Sequence, residues 1–344
     1  MVKHAYIELW SCEEEPDMQE IIDVLPKAIA DIVAHYPPSL KEKMEEIRVR
    51  ITKPLELVVD GKPHFQNYVV TMEDGIQLLN RLSHFSIYTL EEELKRGYVT
   101  IQGGHRVGLA GKVITEFGKV KAIRDVTSFN VRIAKQKVGI GAPLIPHLYN
   151  KYWRNTVIIG PPQTGKTTLL RDLARIVSTG DSKQGIPSSK VGVVDERSEI
   201  AGSVKGIPQQ DLGPRVDVLD ACPKAEGMMM MIRSMSPDVL VVDEIGRQED
   251  SEAILESVNA GISLIITVHG HQLKDLYKRP TLRPLLEIGV FERFIELTRL
   301  NGPGTIKSIL NEQGQEIYSG SESDIDDQNF WSNPNHGCVN VDGI

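Results

Sequence analysis

The sequence predicts an α/β protein of two domains, a smaller α+β domain over residues 1–140 and a domain with a parallel sheet over residues 141–318. Two observations carry this prediction. From about residue 150, strand-like and helix-like segments alternate, which is typical of parallel strands joined by crossover helices. The strand-like segments are also nearly continuous apolar runs, as strands buried on both faces are. They are residues 156–159, 191–194, 239–242 and 264–268, and a terminal hairpin over residues 291–299 and 305–310 follows them.

The first domain mixes helical and strand-like patterns without that regular alternation. Apolar residues spaced by three and four predict an amphipathic helix over residues 17–35, which Pro26 can kink or split. A second, mainly helical stretch covers residues 71–94, and Gly103 and Gly104 join a hairpin-like pair of strands. The predicted strands are residues 47–51, 55–59, 98–101, 105–109, 113–114 and 128–133, and residues 139–143 form the junction to the second domain.

The composition is that of a globular protein without membrane spans. Hydrophobic residues make up 40% and charged residues 25% of the 344 residues, and no apolar run approaches the ~18 residues of a membrane helix. The first residues lack the apolar core of a signal peptide, so we expect a cytoplasmic protein with no direct membrane insertion. Cys12, Cys222 and Cys338 are scattered and form no C-x-x-C pair, which indicates neither a zinc site nor a disulfide framework.

The net charge of −8 is concentrated near the C-terminus. Residues 301–344 hold seven acidic side chains and one basic one, Lys307, so the rest of the chain is nearly neutral. Nucleic-acid-binding proteins are typically basic, and an acidic tail repels nucleic acid, so we expect no nucleic acid as partner. Residues 319–344 are rich in Ser, Asp and Asn with few apolar residues, which predicts a disordered tail.

The first functional motif is a phosphate-binding loop. Residues 160–167 read G-P-P-Q-T-G-K-T between a predicted strand and a predicted helix, and they match the Walker A pattern G-x-x-x-x-G-K-[ST]. The glycines let backbone N–H groups point at phosphates, the helix adds the positive end of its dipole, and Lys166 adds a charge. The loop predicts a bound nucleoside triphosphate with Mg²⁺ on the Thr167 hydroxyl. The predicted nucleotide-binding residues are Gly160, Pro161, Pro162, Gln163, Thr164, Gly165, Lys166, Thr167 and Thr168.

Polar side chains follow three further predicted strands. Asp243 and Glu244 end one strand in the manner of a Walker B motif, so we expect Asp243 to hold Mg²⁺ through water and Glu244 to polarise the attacking water. Asp195 and Glu196 end another, and either Glu196 or Asp195 could share in water activation or Mg²⁺ binding. His269 follows a third, where the γ-phosphate would be sensed. For the carboxylates the alternative is a strand end with solvated charges, and for His269 it is a structural role.

Four segments carry a resemblance to a known family, namely residues 91–111, 161–175, 194–200 and 233–247. Through them the sequence resembles the stage III sporulation protein AA family, ATPases of endospore-forming bacteria, which is similar in turn to the hexameric ATPases of type II and type IV secretion. The resemblance implies a RecA-like AAA+ core and the hydrolysis of ATP with Mg²⁺. It also implies a homo-oligomer, a hexamer, with membrane-embedded channel or secretion proteins as partners. Secretion ATPases usually have Gly before the Walker B Glu, whereas Asp243 stands there, so Glu244 and Glu196 both stay candidates for the base.

The resemblance favours a mechanochemical ATPase that energises a channel between mother cell and forespore from the cytoplasm of the mother cell. The alternatives are a nucleic-acid-dependent ATPase and a nucleotide-binding scaffold with little turnover, although the intact Walker residues weigh against a scaffold. We expect an arginine of a neighbouring subunit to complete the site, because charge spreads over the phosphoryl oxygens during transfer. Arg106, in a glycine-flanked hairpin, is the first candidate and could instead be a surface strand residue. Arg124 and Arg132 are the next candidates.

Overall fold

The computed structural model describes residues 18–83, 94, 97–300 and 302–320. The chain forms two compact units. The N-terminal unit contains the described residues up to Gln136 together with Gly202–Gln210, and the C-terminal unit contains Lys137–Ala201 and the chain from Asp211 onward. Ser319 is the last residue of a strand, and the predicted tail lies outside the described residues from position 321.

The N-terminal unit has short helices whose ends follow from the sequence. Pro26 lacks the N–H that a continuous helix requires, so the helix predicted over residues 17–35 is split in two. Thr71 and Asp74 form a capping box, in which each side chain accepts the backbone N–H of the other residue. The helices are α1 (Met18–Val24), α2 (Lys27–Ala34), α3 (Pro38–Lys41) and α4 (Met72–Leu82). Most of the predicted helix beyond α4 lies outside the described residues.

The sheet of this unit is antiparallel throughout, in the order β3-β2-β1-β6-β5-β4. Its strands are β1 (Met44–Arg50), β2 (Pro54–Val59), β3 (Lys62–Val69), β4 (Tyr98–Thr100), β5 (Arg106–Glu116) and β6 (Lys119–Arg132). The predicted strands are confirmed, and those at 113–114 and 128–133 are parts of the long hairpin of β5 and β6. β3 was not predicted. The α+β class of the first domain is thus confirmed.

The turn before β5 is held by a segment from much later in the chain. Gly103 adopts a φ of +76°, its N–H donates to Gln209 Oε1 over 3.2 Å, and its carbonyl accepts from Gln210 Nε2 over 3.1 Å. A Cβ on Gly202 would lie 2.9 Å from the Cα of Gly104, so the two glycines allow a close backbone approach. Gly202–Gln210, which in sequence follows a strand of the C-terminal unit, is therefore part of the N-terminal unit.

The C-terminal unit is a mixed sheet between two layers of helices. Its helices are α5 (Ile145–Leu148), α6 (Lys166–Thr179), α7 (Lys224–Ser234), α8 (Gln248–Asn259), α9 (Leu273–Leu276) and α10 (Arg283–Glu287). Its strands are β7 (Tyr149–Asn150), β8 (Tyr152–Trp153), β9 (Thr156–Gly160), β10 (Val191–Asp195), β11 (Val216–Asp220), β12 (Val239–Val242), β13 (Ser263–His269), β14 (Arg293–Thr298), β15 (Thr305–Asn311) and β16 (Glu316–Ser319). Among the described helices, none is both long and apolar enough to cross a membrane.

The main sheet has the order β11-β10-β12-β13-β9-β14-β15-β16. Neighbours from β11 to β14 are parallel, and β15 and β16 add an antiparallel edge. Two apolar clusters cover its two faces, as the continuous apolar runs of the strands require. The predicted parallel sheet is confirmed. Because β13 lies between β9 and β12, the carboxyl ends of β10, β12 and β13 meet at the edge where the loop after β9 begins.

Candidate active site

The phosphate-binding loop joins β9 to α6 and closes on itself. Gly165 precedes α6 with a φ of +85°, a left-handed value that favours glycine, and a Cβ there would lie 2.9 Å from the nitrogen of Gly304. Thr164 Oγ1 and Lys166 Nζ both donate to the carbonyl of Pro161, over 2.8 and 2.9 Å. Because α6 begins at Lys166, directly after Gly165, the positive end of its helix dipole lies at the loop. Of the other predicted nucleotide-binding residues, Gly160 ends β9, and Pro162, Gln163, Thr167 and Thr168 lie in the loop and the first turn of α6.

The ammonium of Lys166 lies among the polar groups of the site. The residue is 5% exposed, and its Nζ is 3.4 Å from Nδ1 of His269 at the end of β13. Burial lowers the pKa of Lys166, and the charges of Asp243 and Glu244 oppose that shift. A cation withdrawn from water interacts more strongly with an anion than an exposed one does, which suits a phosphate ligand.

Asp243, directly after β12, connects the loop to the neighbouring strands. Its Oδ2 accepts the hydroxyl of Thr167 over 2.7 Å, and its Oδ1 accepts the hydroxyl of Thr267 on β13. Thr267 Oγ1 in turn accepts the backbone N–H of Glu244 over 2.8 Å. The two residues predicted to hold Mg²⁺, Thr167 and Asp243, are thus brought together. Thr267 was not among the predicted site residues, although a hydroxyl near the end of a buried strand could have indicated it.

Glu244 has a polar partner for each of its carboxylate oxygens. His269 Nε2 lies 2.8 Å from Oε1, and Arg197 Nη1 lies 2.8 Å from Oε2. The residue adopts a φ of +54°, a left-handed value that is uncommon for a residue with a side chain and that redirects the chain after β12. The predicted Glu244 and His269 are therefore in contact, and His269 lies between Glu244 and Lys166.

Glu196, directly after β10, is held by different cations. Lys224 Nζ, at the first residue of α7, lies 2.5 Å from Oε2, and Arg247 Nη1 lies 3.7 Å from Oε1. Burial acts to raise the pKa of the Glu196 carboxyl, but the hydrogen bond and charge of Lys224, together with Arg247 and Arg197, bring that pKa below its ordinary value. Glu196 is consequently a carboxylate with a strong cationic partner.

Asp195 organises the loop after β10. Its carboxylate accepts the N–H groups of Glu199, Ile200 and Ala201, each over 2.9 Å. Arg171, on α6, donates to the carbonyls of Ile200 and Glu199 over 2.7 Å and fixes the same loop from the other side. Burial raises the pKa of Asp195 to about 6, although the three backbone hydrogen bonds oppose the shift.

The free energy of unfolding should depend on pH through Asp195. Its pKa of about 6 in the folded chain exceeds the ordinary 3.8, so the folded protein binds a proton that the unfolded chain has released. The stability from this proton is fully present below about pH 4, falls by about 1.4 kcal/mol per pH unit above it, and is lost beyond about pH 6. Denaturation of wild type and Asp195→Asn between about pH 4 and 7 measures this. The difference, wild type minus variant, should fall with pH and then level off, and a constant difference contradicts the assignment.

The strand ends line one cleft. The lining residues are Asp195, Glu196, Arg197, Glu199, Lys224, Asp243 and Glu244. The carboxylates at the ends of β10 and β12 were predicted from the sequence, whereas Arg197 and Lys224 were not. Arg197 follows Glu196 directly and could have been found as the next charged residue after the strand. Lys224 carries no local signal, because its approach to Glu196 depends on how β10 and α7 pack.

The arginines predicted to act from a neighbouring subunit lie in the N-terminal unit. The guanidinium carbon of Arg106, on β5, is 3.5 Å from the ring centroid of Tyr98, a cation–π contact. Arg132 Nε, on β6, lies 3.8 Å from a carboxylate oxygen of Glu46. Arg124 also lies on β6. Their roles toward another subunit stay predictions.

Two solved structures resemble the chain over most of its length. The ATPase DotB of Legionella pneumophila superposes with a TM-score of 0.55 at 14% identity, covering 83% of this chain and 81% of DotB. The pilus retraction motor PilT with bound ADP superposes with a TM-score of 0.52 at 16% identity, covering 75% of each chain. The predicted RecA-like core behind a smaller α+β domain is thereby confirmed as the fold.

The structural likeness shows the fold, and similarity in sequence shows the family. Stage III sporulation protein AA of Bacillus subtilis (strain 168) is 58% identical to this chain over 297 residues. These residues are 86% of this chain and 96% of that protein. The uncharacterized protein ycf45 of Cyanidium caldarium is 30% identical over 197 residues, which are 57% of this chain and 56% of that protein. The model of the family described as sporulation stage III, protein AA, matches residues 15–317. Such a match covers most of the chain and both of its units, and the chain belongs to the sporulation stage III protein AA family.

Proposed function

We propose that this protein hydrolyses ATP with Mg²⁺ and that the hydrolysis energises a secretion or channel complex between mother cell and forespore during sporulation. The observation that carries the proposal is the contact of Thr167, from the phosphate-binding loop, with Asp243, from the acidic strand end, at 2.7 Å. It joins the two halves of a nucleotide-hydrolysing site. The likeness to the ATPase DotB and to the motor PilT supports a mechanical use of ATP, and the family supports a role in sporulation.

The loop binds the triphosphate in this proposal. The first N–H groups of α6 have no partners within the helix and are available to phosphate oxygens, and the helix dipole favours the negative charge. Lys166 adds its ammonium beside them. Lys166 thus supplies a positive charge and the backbone supplies N–H donors directed at the phosphate, as in other loops of this kind.

The residues around Asp243 fit Mg²⁺. This ion keeps several waters and takes one or two carboxylates with substrate phosphate oxygens, and Asp243 and Thr167 offer one carboxylate and one hydroxyl. When bound, the ion neutralises phosphate charge and orients the triphosphate. Thr267 fixes the Asp243 carboxylate through a hydrogen bond to its second oxygen. Asp243 is 9% exposed, so its carboxylate is also screened little by solvent.

Glu244 is the general base in this proposal. Its carboxylate accepts a proton from the attacking water. It also lies 2.8 Å from His269, whose other ring nitrogen is next to Lys166. The hydrogen bond of its backbone N–H to Thr267 and the left-handed backbone hold the carboxylate in place. Arg197 and His269 fix its two oxygens without using all their lone pairs, so a water can still be accepted.

The site is completed in a homo-oligomer, which we propose is a hexamer. Charge on the transferred phosphoryl group spreads over three oxygens, and an arginine of a neighbouring subunit commonly stabilises it. Arg106 of the neighbour is the proposed residue. The partners in the cell are membrane-embedded channel or secretion proteins, with the ATPase at the periphery of their complex in the mother-cell cytoplasm.

The native mass and the ATP turnover of the purified protein test this function together. We expect turnover that depends on Mg²⁺, and a mass that shifts from small species to a closed oligomer when ATP is added. The Lys166→Ala variant serves as the control for contaminating ATPases. Turnover equal in variant and wild type overturns the proposal, and stimulation by added single-stranded nucleic acid would favour a nucleic-acid-dependent ATPase instead.

A mixing assay tests the arginine in trans. Arg106→Ala and Lys166→Ala should each be inactive alone, and their mixture should recover part of the wild-type rate, because some interfaces then pair an intact loop with an intact arginine. Arg124→Ala and Arg132→Ala, which change the next two candidates on the neighbouring strand, are mixed with Lys166→Ala in the same way. Normal hydrolysis by Arg106→Ala, or a specific activity that is independent of protein concentration, rules out this residue.

A further inference from the structure

The cleft contains a lysine that the mechanism has not used. Lys224 is the first residue of α7, its side chain is 10% exposed, and its ammonium lies 2.5 Å from Glu196. Glu196 is itself only 21% exposed. An ion pair that is largely shielded from water is less screened than a surface pair, so its two members attract each other more strongly and hold each other in place.

The two candidate bases therefore differ in their surroundings. Glu196 faces the nearly buried Lys224, whereas Glu244 faces His269 and Arg197, whose side chains are 40% and 58% exposed. A carboxylate paired with an enclosed cation accepts a proton poorly, since protonation would leave that cation unpaired. Among the described residues Glu244 is not bonded to a cation so enclosed, because the buried Lys166 contacts His269 and not Glu244 itself.

On the basis of the proposed ATPase, we infer that Lys224 is a positioning residue: it keeps Glu196 ionised and fixed, and thereby reserves the role of general base for Glu244. The lowered pKa of Glu196 agrees with this. The cations that face Glu196 are Lys224, Arg247 and Arg197. The other lining groups are the carboxylates Asp195, Glu199, Asp243 and Glu244, and the Cys222 thiol lies nearby.

Lys224 also lowers the negative charge of the cleft. Five of its seven lining residues are acidic, and a triphosphate is a polyanion. Arg197 is largely exposed and screened by solvent, so the enclosed Lys224 has the larger electrostatic effect of these two lining cations. Without Lys224, the Glu196 carboxylate would lose its closest cation and would accept a proton more readily.

Steady-state kinetics over a range of pH test the inference. Lys224→Met should lower kcat by between roughly 10-fold and 100-fold with a smaller change in KM, and should move the acidic limb of the kcat profile to higher pH. Lys224→Arg, which keeps the charge, should recover most of kcat. The double variant Lys224→Met/Glu196→Gln should be more active than Lys224→Met alone, because the anion that Lys224 balances has been removed. A wild-type profile for Lys224→Met, or independent losses in the double variant, overturns the inference.

A second measurement does not depend on turnover. The carboxyl ¹³C resonance of Glu196 should titrate below the ordinary range of a glutamate in the wild-type protein and at a higher pH in Lys224→Met. If wild type fails to hydrolyse ATP, the proposed function is wrong, while this titration still decides whether Lys224 keeps Glu196 ionised. Identical titrations in the two proteins show that it does not.

Discussion

Replacing Lys166 with alanine is expected to abolish the binding of ATP. Lys166 is the cation bonded within the phosphate-binding loop, and at 5% exposure its charge is poorly screened. Charge-assisted hydrogen bonds contribute about 1.5–3 kcal/mol each, and an ammonium can donate more than one of them to the phosphates, so the dissociation constant should rise by about 100-fold or more. The fold should persist, since the ammonium contacts only the Pro161 carbonyl and His269 among the described residues.

Equilibrium titration with a fluorescent ATP analogue, read with the melting temperature, measures this effect. Lys278→Ala is the matched control: it removes a lysine of the same unit whose side chain is 76% exposed and which pairs with Asp275 on the surface. The control should bind as wild type does. Equal dissociation constants for Lys166→Ala and wild type would falsify the assignment of the loop.

Replacing Glu244 with glutamine is expected to preserve ATP binding and to stop its hydrolysis. The amide matches the carboxylate in size and can still contact His269 and Arg197. It cannot accept a proton from water, so turnover should fall by about 10²-fold or more. The loss of charge opposite Arg197 should cost little stability, because that arginine is 58% exposed.

Single-turnover hydrolysis and the dissociation constant of ATP separate the two effects. Glu196→Gln is the matched comparison, since it makes the same change at the neighbouring strand end and should reduce turnover less. The reverse order, with Glu196→Gln inactive and Glu244→Gln nearly as fast as wild type, would identify Glu196 as the base. Glu244 would then not be the residue that contacts the attacking water.

Much of the C-terminal sheet could be predicted because its parallel strands are buried on both faces. β9, β10, β12 and β13 are nearly continuous apolar runs, and each was located to within about one residue at either end. β11 escaped prediction because Val216–Asp220 is half-buried at the sheet edge and contains two aspartates among its valine and leucine residues. The aspartates interrupt the apolar run and resemble the charged residues of a loop.

In the candidate site, too, residues that are neighbours in sequence could be predicted, and pairs that are distant in sequence could not. The loop from Gly160 to Thr168 is contiguous, so its spacing in sequence was sufficient. The pairs Glu196–Lys224 and Glu244–Arg197 join residues 28 and 47 positions apart, and no pattern in the sequence links them. They meet because β10 and β12 are neighbours and because α7 begins beside the end of β10. Sheet order, which the sequence leaves open, therefore decides which charges become partners.

The discontinuity of the N-terminal unit has a consequence for protein synthesis. Gln209 and Gln210 bind both backbone groups of Gly103, yet more than a hundred residues separate them in the chain. While the ribosome is still translating the first strands of the C-terminal sheet, the turn that precedes β5 lacks these partners and is hydrated. Domains generally fold as units from the N-terminus during translation. Here the first unit is completed only once Gly202–Gln210 has emerged, so the two units mature in an interleaved order rather than one after the other.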